Sequence, residues 1–212
     1  MHKPIAKWLS WYETIVGDAE NMLLCRKMFF DLHEIIQNNP ELQKPDFFHE
    51  YMRDTYIAHI CSGVRRQFKD NSDSISLARL LREISEHPKF LSREYFRSLY
   101  ASGLADHADT DFDKFSGQGN PHIDPLIVIR DLQELKAAAV KSESFIDRRV
   151  SHFDKREPTM FPTYDDINHS VNLIDRLLVK YGFVLKLESR DTIMPAAQNG
   201  WLGIFRTPWI VE

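Results

Sequence analysis

Apolar residues that recur every three or four positions constrain this chain more than any other feature. From residue 5 to about 38, Leu9, Tyr12, Ile15, Ala19 and Met22 or Leu23 keep that spacing. Leu24, Met28, Leu32 and Ile35-Ile36 extend it. Such a stripe covers one side of an α-helix. Gly17 is a point of bending, because glycine costs about 1 kcal/mol in a helix interior. Asn38-Asn39-Pro40 closes the stretch.

The same period returns along most of the chain. A second helix is predicted from about Asp46 to Phe68, burying Phe48, Met52, Ile60 and Val64. Ala58, Ser62 and Gly63 are small enough to let another helix approach closely, and Tyr51, Tyr56 and His59 read as core and hydrogen-bonding residues. Short helices are expected over 74–84 and, capped by Ser92, over 93–100. Residues 103–125 combine three glycines and two prolines, with four aspartates between 106 and 113, which predicts an irregular connection. A long helix should follow from Pro125 to His152. Thr163-Tyr-Asp-Asp166 has capping-box spacing and opens a last helix that Gly182 ends. The tail from Phe183 to Glu212 lacks helical rhythm, yet Trp201, Ile204, Phe205 and Trp209 can anchor it on the rest. The expected architecture is all-α: an up-down helical bundle over 1–182 with an irregular insertion, and a non-helical tail over 183–212.

A chain of 212 residues has the size of one domain. Its formal charge of −4 argues against a general DNA coat but leaves room for a local basic cleft. The two cysteines, Cys25 and Cys61, read as free thiols of a reducing compartment. No apolar run is long enough to cross a membrane and the start has no signal-peptide core, so a cytoplasmic protein is expected. The histidines His59, His152 and His169 lack metal-ligand spacing, and neither metal nor cofactor is expected.

The chemistry is concentrated in Phe145-Ile-Asp-Arg-Arg-Val-Ser-His-Phe-Asp-Lys155. On a helix, Ile146 points into the core stripe while Arg148, Arg149 and His152 share one flank. Guanidinium groups can hold a phosphate, and an imidazole can move a proton near neutral pH. Together they suit cleavage of RNA, whose 2′-hydroxyl supplies the attacking oxygen. The same turn also reads as a salt-bridged helix end, with Glu143, Asp147 and Asp154 as partners.

Three stretches resemble the HEPN superfamily, and more closely its AbiU2-like members associated with bacterial abortive infection. They are Val64-Arg-Arg-Gln-Phe through Ile84, Ile146-Asp-Arg-Arg-Val-Ser-His152 through Lys155, and Phe161-Pro-Thr-Tyr-Asp-Asp-Ile-Asn168 leading to Leu177-Leu-Val-Lys-Tyr-Gly182. The resemblance implies a helical bundle that pairs as a homodimer and, in many members, cuts RNA without a metal. It implies catalytic roles for His152, Arg148 and Arg149. Arg65, Arg66, Arg79 and Lys155 become candidate RNA contacts. RNA and a cognate antitoxin or defence partner become candidate ligands. Ile146 stands where related sequences commonly carry the arginine, so Arg148 lies closer to His152 than the family spacing. The alternative is a non-catalytic helical interaction module.

Overall fold

The computed structural model describes residues 3–44, 46–150, 161–196 and 199–207, with the backbone alone at 149, 150 and 199. The chain is an all-α bundle, and no strand occurs among the described residues. Helix α1 (Lys3–Gln37) runs straight through Gly17, beside which a side chain would meet nothing. It buries Ile5, Trp8, Tyr12, Ile15, Ala19 and Met22, the spacing that the sequence advertises. Beyond Leu23 the stripe is only partly covered, and Met28 and Phe30 are exposed.

Helix α2 (Phe47–Phe68) starts where the Asp46 carboxylate accepts a hydrogen bond from the His49 amide. Gly63 faces α1 closely: a Cβ there would lie 2.3 Å from Met22 Sδ. Helix α3 (Leu77–Glu86) is capped by Ser76 and buries Leu77, Ala78, Leu80, Leu81 and Ile84. Helix α4 (Arg93–Arg97) begins at Ser92, whose hydroxyl accepts from the Tyr95 amide.

The expected irregular connection is instead largely helix α5 (Ala105–Ser116). Its physical basis is a buried side made of Ala108, Phe112 and Phe115 and a charged side held by arginines. Arg93 Nη1 lies 3.2 Å from Asp109 Oδ1 and its Nη2 2.5 Å from Asp113 Oδ1, while Arg97 also pairs with Asp109. Asp109 and Asp113, two of the aspartates that resemble a loop in sequence, are thus paired from α4, and Asp111 pairs with Lys114 of α5 itself. Gly117 ends the helix with φ at 78°, a conformation that suits glycine.

Helix α6 (Pro125–Phe145) has proline in its first turn and Asp124 as cap. It stops being α-helical earlier than expected. Ile146–Val150 form a π-helical turn, and the expected helix end at His152 lies outside the described residues. Helix α7 (Tyr164–Lys186) opens with the anticipated capping box between Thr163 and Asp166. It also continues past Gly182, the residue expected to end it, and closes at Leu187 with φ at 56°. Gly182 serves packing instead, since a Cβ there would lie 2.2 Å from Tyr12 Oη. Among the described residues the tail has no α-helix beyond Lys186 but does form a 3₁₀ helix, Asn199–Arg206.

Helix α6 packs against α2, α3 and α7, and α1 packs against α2, α3 and α7. One apolar core joins all of them and includes Ile193 from the tail. Two polar ties reinforce it. The Tyr12 hydroxyl donates to the Leu178 carbonyl at 3.0 Å, linking α1 to α7. Buried Asp131 on α6 accepts from Lys180 Nζ at 2.6 Å and Tyr181 Oη at 2.7 Å on α7. A buried carboxylate is tolerable when both partners satisfy it.

Candidate functional site

The basic turn sits where α6 changes its winding. A π turn bonds each residue to the fifth before it, which inserts an extra residue and re-aims the side chains that follow. Ile146, its first residue, is 2% exposed and belongs to the core, as its place in the stripe predicts. Asp147 and Arg148 are half-buried beside it. Of Arg149 only the backbone is described, and His152 and Lys155 lie outside the described residues.

Of the three outlying candidates among the described residues, Arg65 reaches this turn. Arg65, in the last turn of α2, places Nη2 2.6 Å from Asp147 Oδ1. Its Nε is shut off from water and makes no hydrogen bond. Arg65 therefore brings a guanidinium from α2 to the turn whose sequence includes Arg148 and Arg149. It also engages the nearest carboxylate of that turn. Arg66 turns the other way and grips Asp18 of α1 at 2.7 Å, with Gln67 donating to the same carboxylate at 2.6 Å. Arg79 pairs with Glu83 at 3.1 Å, and Glu83 also accepts from Lys7 at 2.6 Å. Arg66 thus ties α2 to α1, and Arg79 pairs within α3, both away from the turn.

No group of three metal-ligating side chains occurs among the described residues. Cys25 and Cys61 are free thiols; burial raises both pKa values, that of Cys61 to about 11. Protonated thiols of this kind are poor nucleophiles.

The structure holds features that the sequence reading passed over. Tyr51 is 58% exposed rather than part of the core. Tyr56 is buried, stacked on Phe29 with ring centroids 3.9 Å apart, but its hydroxyl has no partner. Burial pushes that phenol up to about 12. His59 Nε2 is likewise buried without a partner. Both residues line a cavity of about 670 Å³ between α1, α2 and the C-terminal 3₁₀ helix. Its only foretaste in sequence is the apolar excess on α2, which exceeds what one buried face requires. Comparison with protein-family models, curated proteins and solved structures finds no match to this chain.

Proposed function

We propose that this protein is a metal-independent HEPN-type protein of a bacterial defence or toxin system that binds and cleaves RNA. The observation that carries the reading is the π turn at Ile146–Val150. Two arginines follow one another there, and a third, Arg65, is pinned alongside through Asp147. Arg65, Arg148 and Arg149 thus supply positive charge at or beside one turn of a chain whose net charge is negative.

In this mechanism a phosphodiester lies against Arg148 and Arg149. Their N–H groups donate to its non-bridging oxygens as charge grows there. His152 takes the proton of the adjacent ribose 2′-hydroxyl, and that oxygen attacks phosphorus. The bond to the 5′ oxygen breaks, and that oxygen takes up a proton from water. The products are a cyclic 2′,3′-phosphate and a free 5′-hydroxyl. Fixed positive charge disfavours a protonated imidazole, which keeps His152 ready as a base. The protein acts in the cytoplasm as a homodimer that brings two such turns to one groove, and a cognate antitoxin or defence partner silences it.

Incubation of the purified protein with single-stranded RNA tests this directly. Cleavage should persist in chelator and yield cyclic phosphate ends. RNA carrying 2′-deoxy nucleotides should resist. His152→Ala should abolish cleavage while leaving the far-ultraviolet spectrum and the solution mass unchanged. Cleavage by the rigorously purified variant at the wild-type rate overturns the mechanism.

A second reading is favoured by Ile146. The residue at the family's arginine position is a buried core residue here, and the neighbouring Asp147 is in an ion pair. On that reading the bundle is a non-catalytic interaction module. It predicts an absence of cleavage by wild-type protein under every condition.

A further inference from the structure

We propose that the cavity between α1, α2 and the C-terminal 3₁₀ helix is a binding site for a small, uncharged apolar molecule with one hydrogen-bonding head. This site is separate from the arginine turn and does not rest on the RNA reading. The cavity measures about 670 Å³, within the range of sites that hold metabolite-sized ligands. Phe29 and Leu32 of α1, Met52 of α2, and Trp201, Ile204 and Phe205 of the 3₁₀ helix supply its apolar walls. No charged side chain lines it when His59 is neutral. Charge complementarity therefore excludes an anionic or cationic body, whose desolvation the walls would not offset.

The apolar surface is more than core packing has left over. Met28 and Tyr51 stand on the walls and are 42% and 58% exposed. Their cover is incomplete without an occupant, and burying them in water's absence is favourable. The head group is assigned by His59. Its ring lines the cavity, yet its Nε2 is closed off from water and makes no hydrogen bond. That nitrogen holds a bonding capacity which the protein does not use. A hydroxyl pushed between the apolar walls, with a small rotation of the ring, would satisfy it. The Tyr56 hydroxyl of the same lining is likewise buried without a partner and can share that head group, while Thr55 and Tyr51 are exposed polar residues of the lining. A long-chain alcohol has the chemistry that this arrangement selects.

The probe for this site is N-phenyl-1-naphthylamine, which is uncharged and fluoresces when sheltered from water. Titration into the full chain should give saturable binding at one equivalent. Thr55→Trp, which fills the cavity from an exposed position, should weaken binding by about tenfold with unchanged helicity. Displacement of the probe by 1-dodecanol and by dodecane then reads the head group. His59→Phe should weaken dodecanol by about fivefold, the worth of one hydrogen bond, and leave dodecane unaffected. Non-saturable binding, or equal binding by Thr55→Trp, overturns the site. An equal effect of His59→Phe on alcohol and hydrocarbon overturns the head-group assignment.

Discussion

Single atoms decide several of the packing contacts, and Gly182 is the sharpest case. A Cβ at that position would meet the Tyr12 hydroxyl at 2.2 Å, and that hydroxyl is fixed by its bond to Leu178. Gly182→Ala gains about 1 kcal/mol of helix propensity. The collision costs more, so we expect a net loss of about 1–3 kcal/mol in urea denaturation. Adding Tyr12→Phe removes the colliding oxygen and should restore part of that loss. Gly63→Ala should cost much less, because the atom it meets is the flexible thioether of Met22. Asp166 offers a pH-dependent counterpart. The Lys141 ammonium, then the Thr163 amide and hydroxyl, hold its pKa down from 3.8 to about 2. A depressed carboxylate stabilises the fold fully above its unfolded pKa and ceases to do so as pH falls through its folded value. The group is partly exposed, so solvent screening reduces the effect to about 1 kcal/mol or less. Asp166→Asn should therefore be less stable than wild type at pH 7, with the two denaturation curves converging between pH 3.8 and 2.

Elements meet through contacts that local sequence does not announce. Arg65 and Asp147 join the end of α2 to the π turn with side chains 29% and 42% exposed. A double-mutant cycle of Arg65→Ala and Asp147→Ala should return a coupling of about 0.5–1 kcal/mol, weaker in salt. Near-zero coupling would mean that the turn holds its shape without α2. The start and cap of α2, α4 and α7 were legible because an Asp, Ser or Thr three residues before a receptive amide is a local signal. The stripe of α1 was legible because it has one period over many turns. Helix α5 was not, since its aspartates look like loop residues until Arg93 and Arg97 are brought over them. Gly182 was read as a helix stop because the local rule knows nothing of Tyr12, 170 positions away. The basic turn was legible as charge, and Ile146 as core. The change of winding at Ile146 was not, because it depends on how α6 seats against α2.

Across the whole molecule, one continuous core runs from Ile5 through Ile193. A single core predicts a single cooperative unfolding transition. Fluorescence of fully buried Trp8 and far-ultraviolet dichroism should give the same midpoint in urea; separate midpoints would show that part of the bundle melts alone. The Asp131 tie belongs to this scale too, because it locks α6 to α7 at the centre. Asp131→Ala should cost about 2–3 kcal/mol by stranding Lys180 and the fully buried Tyr181 hydroxyl. The bond from Tyr12 to Leu178 also has a temporal side, because it spans 166 positions. On the ribosome, the flank of the first helix that carries Tyr12 must wait uncovered until the far end of the bundle has been synthesised. Whatever shelters a nascent chain would have its longest task here, and a pause in translation just before the last helix would leave that flank open to mispairing.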